Sequence, residues 1–468
     1  MSGGRRTAAR RSRVNLTLVL AVVLPLLSAA MLLLVRPDAT PADATYPPSR
    51  TTLTAATLIC PAALPGAPAV AVTTVADDVT GQVSVGLGDD ATDVDLVSGQ
   101  VTSADDKAAS AVSGVDDAAP GLVAGRSGGD EKAVAGCAPP TASRWFTGVG
   151  AGASHRSVLE LTNPDSGTAV ADITVHGRDG VVDAPALHGV SVRGGTSVRL
   201  DLSTSIPRTD DLALEVVTTR GRIGASVLDR YDRVGSDPLT QDWMAGQAEP
   251  TADNLLLGIA PGTGTRTLTI ANPGDDEVRA ELKVIDTESV FAPDGVEPIR
   301  VPPQSVVRVP VTAIVNQAVD DGAIGISISA SGPVTASMRS LVRKDLSLTA
   351  VGASFDTEST VLLPAEPATG SAAADRRVVL SAVSGAGAVT VVARAADGSS
   401  LKQVKAEIVP GRGVVVRLPP SSRQLSVLPS RTSLTGAVVT SAKAGASVLP
   451  LTVPVSNGLV PQVRPGLS

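Results

Sequence analysis

The feature that most constrains this chain is that it repeats itself. Ser157–Asn163 reads SVLELTN and Thr267–Asn272 reads TLTIAN, and each runs straight into a proline, Pro164 or Pro273, so that the two Asn-Pro pairs stand 109 residues apart. Within both stretches apolar and polar residues alternate: Leu159 and Leu161 against Glu160 and Thr162, then Leu268 and Ile270 against Thr267 and Thr269. A period of two marks a half-buried strand, and Asn-Pro marks the turn that ends it. Ala171–Val175 and Ala280–Val284 supply the strand after each turn.

Further landmarks keep the same beat. SVRLDLS, VVRVPVT and VVVRLPP place Arg199, Arg308 and Arg417 at intervals of 109, and the pairs Ala225-Ser226, Ala336-Ser337 and Ala446-Ser447 follow at 111 and 110. A unit of this length, with short alternating strands and frequent turns, predicts an immunoglobulin-like β-sandwich used in tandem. The cores must be aliphatic, because the chain has only 3 Phe, 2 Trp and 2 Tyr, and β-branched valine favours strands. No stretch outside the N-terminal apolar run shows a helical period. The expected fold class is therefore all-β.

Residues 51–143 read as a fourth, degenerate copy, since Leu58–Val75 follows the same order of strand, Pro-rich turn and strand as Leu362–Val383. Within it, 91–132 is rich in Asp, Ser, Gly and Ala and is expected to be loose. Cys60 and Cys137, the only cysteines, would lie in the first and last strands of that copy. In an oxidising compartment two thiols form a disulfide that staples the ends of the module, and two buried free thiols are the other reading.

The N-terminus differs in kind. Arg5, Arg6, Arg10, Arg11 and Arg13 precede an uncharged apolar run over 14–35. Those 22 residues would extend roughly 33 Å as a helix, enough to cross a bilayer core. The arginines hold that flank in the cytoplasm and send the remainder outside. The competing reading is a cleaved signal peptide and a secreted product, although its apolar core is expected to be shorter. The expected organisation is a cytoplasmic tail (1–13), an anchor (14–35), a linker (36–50), β modules at 51–143, 144–249, 250–359 and 360–456, and a tail at 457–468. Beyond residue 36 the chain holds 33 basic and 46 acidic residues, a balance that argues against nucleic acid, whose phosphates need clustered Lys and Arg.

Candidate chemistry is sparse. Gly125-Arg126-Ser127-Gly128-Gly129 matches the G-x-S-x-G of serine hydrolases, but its surroundings read as a polar loop instead of a strand running into a helix. His155, His176 and His188 all fall in one repeat and are expected at the surface, His176 alternating with Asp172 and Thr174. The acidic clusters Asp89, Asp90, Asp93, Asp95 and Asp275, Asp276, Glu277 lack the ordered spacing of a calcium loop. No metal or cofactor is expected. Trp145 and Trp243 each open a W-x-x-G and are candidates either for plugs between modules or for platforms that stack a sugar ring.

The Arg-rich start with its single span, Cys60-Pro61, Trp145-x-x-Gly148 ahead of LTNP, and the repeated strand–Asn-Pro units resemble actinobacterial exported proteins of the family catalogued as domain of unknown function 5719. The resemblance covers nearly the whole chain. It implies a membrane-anchored or secreted protein with no assigned activity, whose genes lie near glycosyltransferase genes. The expectation is a non-enzymatic cell-envelope protein serving as scaffold, spacer or interaction surface. The alternative is a protein that binds or helps assemble an envelope polysaccharide beside a membrane glycosyltransferase.

Overall fold

The computed structural model describes residues 16–34 and 48–460, apart from 129–132, 207–208, 233–238, 366–373 and 444. The chain divides into two units, Met1–Arg50 with Leu459–Ser468, and Thr51–Gly458. In the first, a helix runs over Leu16–Leu34 with Pro25 inside it, and its side chains are described over 20–31. Among the described residues no helix is long and apolar enough to cross a membrane. The expected cytoplasmic tail and most of the linker lie outside the described residues. Ser49–Thr52 and Asn457–Val460 pair as a two-stranded ribbon, so the expected linker and C-terminal tail each contain a strand.

Four stretches of Thr51–Gly458 repeat one strand order. In the second module (143–244) one antiparallel sheet runs Ser143–Val149, Leu212–Arg220, Ala169–Gly177, Gly180–Val182. The other runs Thr196–Asp201, His155–Asn163, Gly224–Tyr231, Thr240–Met244. The fourth module (359–450) has the same order: Ser359–Leu362, Gln424–Ser430, Gly387–Arg394, Ser400–Ile408, and Gly413–Leu418, Asp375–Ser384, Ser433–Ser441, Ala446–Pro450. So does the first (55–136), whose stretch 91–132 was expected to be loose but carries Thr92–Val97, Thr102–Asp105, Ser110–Val115 and Leu122–Ser127. In the third (251–350) the two penultimate strands merge into one 18-residue strand, Gly325–Val342. Its first half pairs with Thr251–Leu257 and Val278–Ile285, and its second half with Gly264–Asn272 and Asp345–Ala350.

The register explains which sequence landmarks are equivalent. Ala225-Ser226 and Ala336-Ser337 sit on matching strands, but Ala446-Ser447 falls on the strand after the matching one, so its interval of 110 is coincidental. The helix expectation also needs correcting: Thr312–Asp320 is helical and buries Val315 and Ala318. Nine residues complete too few turns for a period to stand out in sequence.

The repeated Asn-Pro has a mechanical reason. Asn163 and Asn272 are fully buried at the ends of their strands. Asn163 Nδ2 donates to Gly167 O (2.7 Å) and Val192 O (3.0 Å), while its Oδ1 accepts from Asp165 N. Asn272 repeats the pattern with Asp276 O, Val301 O and Gly274 N. Each amide ties its own turn to the opposite strand and satisfies backbone groups that would otherwise be buried unpaired.

Each pair of sheets closes over a core of Val, Leu, Ile and Ala, and the modules share those cores. Leu346 and Leu348 of the third module complete the core of the second, and Val134 of the first completes that of the fourth. The first module packs on both the second and the fourth, and the third does the same, so the four close into a ring. Closure is sealed by a backbone bond from Val101 N to Ala396 O (2.8 Å). Cys60 and Cys137 form a disulfide beside the bridge Ile59–Ala138.

Candidate functional site

A cavity of about 520 Å³ lies where the four modules meet, within the size range of small-molecule sites. Every module contributes: Val134 from the first, Phe146 and Trp243 from the second, Leu255 from the third, Leu449 and Leu451 from the fourth. The walls are mainly apolar: Phe146 belongs also to the core of the second module, and Val134, Leu449 and Leu451 to that of the fourth, so the cavity abuts those cores.

Two polar groups in this lining are poorly provided for. Arg144 is half-buried on the edge strand Ser143–Val149, and its Nη1 donates to Gly246 O at 3.3 Å. Burial alone holds its guanidinium below the usual arginine range, and it forms no ion pair among the described residues. Thr435 is 1% exposed, and its Oγ1 has no hydrogen-bond partner. Gln247, by contrast, is fully engaged: its backbone pairs with Trp145, and its side chain bonds Glu249 O, Asn254 Oδ1 and Ala336 N.

The other concentration of polar chemistry is the junction of the second and third modules. His155 and Asp229 are buried, with Nε2 2.9 Å from Asp229 Oδ1, and Ser157 Oγ donates to the same carboxylate. Arg339 reaches in from the third module, its Nη1 2.6 Å from His155 Nδ1, while its own head lies over the Tyr231 ring. The same Nη1 is 3.0 Å from Nε2, so the guanidinium lies against the face of the imidazole, while the Asp229 carboxylate, an acceptor, faces Nε2. Ser157 is turned to Asp229 and not to His155, so the three side chains do not form a nucleophile–base–orienter relay. They are a latch. Thr147 and Thr335 (2.6 Å) and His176 Nδ1 with Gln304 O (3.2 Å) add to it. At the neighbouring junction Glu160 Oε2 accepts from Ala62 N of the first module (2.7 Å); burial raises its pKa.

The structure disposes of several expectations. His155 and His176 are buried, not at the surface, because Arg339 and Gln304 of the next module reach them; His188 alone is exposed. Gly125–Ser127 of the G-x-S-x-G stretch end a strand instead of lying in a polar loop, and Arg126 among them is buried; Gly129 of the motif lies outside the described residues. The Arg126 guanidinium binds Asp106 O and Ser110 Oγ, and burial, partly offset by Asp106 and Glu160, lowers its pKa to about 10. Residues 130–132 after the motif also lie outside the described residues. Among the described residues no group of three or more His, Cys, Asp or Glu is placed to hold a metal.

The two tryptophans part company. Trp145 is 3% exposed with its ring 5.4 Å from His176, so it has no free face for a sugar. Trp243 packs with Leu64 and Ala133 of the first module and also lines the cavity. They occupy the first and last strands of one module, not equivalent starts of two. Their glycines mark close approaches: Gly148, at φ +86° on a bulge, would place a Cβ 2.7 Å from Ser337 Oγ, and Gly246 would strike Arg144 Cδ. Arg144, Thr435, Asp229 and Arg339 escaped the sequence reading. One signal was available: the residue equivalent to Arg266 and Arg376 is Ser157, and the partner of Arg266, Ser340, is matched by Asp229.

Paired antiparallel sheets repeated four times around a shared cavity define an all-β, multi-module protein. The chain belongs to the family of unknown function DUF5719, whose model matches residues 98–419, from within the first module to within the fourth. No curated protein matches it.

Proposed function

We propose that the chain is a non-enzymatic cell-envelope protein, anchored through the apolar run at 14–35, whose four immunoglobulin-like sandwiches form a rigid extracytoplasmic platform for another envelope component. The observation that carries this reading is the ring closure between the fourth module and the first. A spacer gains reach by leaving its modules in line. A ring gives up that reach for a fixed surface, and this chain commits buried charges at its junctions to keep it fixed. The membrane placement rests on the five arginines ahead of the apolar run. The component held is an envelope glycan or a membrane glycosyltransferase; Trp145 does not serve a glycan, being closed off.

Purified full-length chain is to be immobilised and offered wall-glycan fractions and solubilised membrane glycosyltransferases separately. Saturable retention of one of them, lost when Arg339→Ala loosens the ring, supports the platform. Retention of neither, together with turnover of a wall polymer by the chain, would overturn it.

A further inference from the structure

We propose that the central cavity is a binding site for a single-tailed aliphatic carboxylate, its hydrocarbon tail against the apolar walls and its anionic head on Arg144. The inference goes beyond the platform reading and does not depend on it. Three features point the same way. The walls are mainly apolar and come from all four modules, which suits a tail better than a sugar with its ring of hydroxyls. Arg144 brings up to five donors into that lining, one of them engaged, at 3.3 Å, and no carboxylate neutralises it among the described residues. A desolvated guanidinium gains most from an anion that it can bind through paired hydrogen bonds. Finally, Glu249 and Asp253 also line the cavity and are exposed, so each negative charge on a ligand is opposed, and a single carboxylate held on Arg144 is disfavoured far less than a ligand with several, such as a nucleotide.

The chain offers its own reporter. Trp145 and Trp243 are its only tryptophans; Trp243 lines the cavity, Trp145 does not, and the apolar run at 14–35 has none. A probe dissolved in lipid or detergent around the N-terminal helix therefore stays silent. Full-length chain in peptide-scaffolded particles is titrated with terminally brominated octanoate, whose bromine quenches tryptophan only near contact. The expected result is saturable quenching that persists in Trp145→Phe and vanishes in Trp243→Phe. Arg144→Gln should weaken it at least about tenfold, the worth of one charge-assisted hydrogen bond. The brominated alcohol of equal length should bind as weakly as octanoate does to that variant. Gly136→Leu is a second route: Gly136 lines the cavity, and a Cβ there would lie 3.8 Å from Leu449 Cδ1, an ordinary contact, so the added side chain takes up space meant for the ligand. It should abolish saturable quenching while leaving the thermal melt intact. Equal quenching by acid and alcohol, tighter binding of the alkylammonium, or wild-type affinity in both Arg144→Gln and Gly136→Leu would overturn the proposal. Because no partner is present, failure here leaves the platform reading untouched, and failure to capture a partner leaves this one untouched.

Discussion

At the scale of single residues, this protein puts cations where a small aliphatic core cannot hold its loops unaided. Arg266 and Arg376 stand at equivalent places and are buried to 2% or less. Arg266 donates to Ala260 O, Gly262 O and Ser340 Oγ; Arg376 donates to Pro420 O, Ser422 O and Pro364 O. Burial lowers the Arg266 pKa to about 10, which leaves it charged at neutral pH. Arg266→Ala strips several carbonyls of their donor and should cost about 2–4 kcal/mol, read as a fall in the denaturation midpoint in urea. A change within error would show that those carbonyls are satisfied otherwise. Asp242 gives a pH dependence. It is fully buried, and desolvation, then Asp345, push its pKa well above the usual carboxylate range, with Asp229 a smaller contribution; bonds from Leu348 N and Trp243 N oppose them. The fold thus prefers the protonated acid, whereas the unfolded chain ionises near pH ~4. This contribution to stability is present in full below that unfolded value and is lost as pH rises through the folded one. Melting temperatures measured from pH ~4 to ~9 should fall, and Asp242→Asn should flatten the slope; an identical slope in the variant would refute the assignment.

Elements were legible in the sequence wherever one strand carried its own pattern. The alternation at 157–163 and 267–272 marks strands that both sheets confirm, and the Asn-Pro turns stand where they were expected. What failed depended on partners from elsewhere. His176 reads as a surface residue because it alternates with polar neighbours, yet Trp145 covers it from another strand and Gln304 from a turn of the next module. Ala446-Ser447 shows that a pair of small residues can keep a beat without sharing a strand. The disulfide is an element-scale device: Cys60 ends the first strand of the first module, Cys137 follows its last, and 77 residues separate them. Closing so long a loop restricts the unfolded chain, and the double change Cys60→Ser with Cys137→Ser should destabilise that module by about 4 kcal/mol. Hydrogen exchange would read this as lost protection confined to 55–136. Protection lost equally in all four modules would mean that they unfold as one body.

The whole molecule was the least legible scale. Repetition predicts four similar units, but nothing in a repeat says whether the last will return to the first. Ring closure rests on contacts such as Val101 N to Ala396 O, between residues nearly 300 apart, and on Val134 entering another module's core. The cavity was invisible for the same reason, since no single module contains it. Its polar groups, Arg144 and Thr435, lie on strands whose local patterns are ordinary.

Ring closure is also the claim that can be tested most directly. Gln100 and Asp397 are exposed on either side of the seam. Spin labels placed there in the full-length chain, with the native disulfide intact, would report the seam distance by pulsed electron resonance. The ring predicts one narrow distribution at the separation of neighbouring loops. Modules strung in line, each of about 13 Å radius of gyration, would instead hold the labels apart by several module widths, and a broad, long distribution would contradict the closed ring.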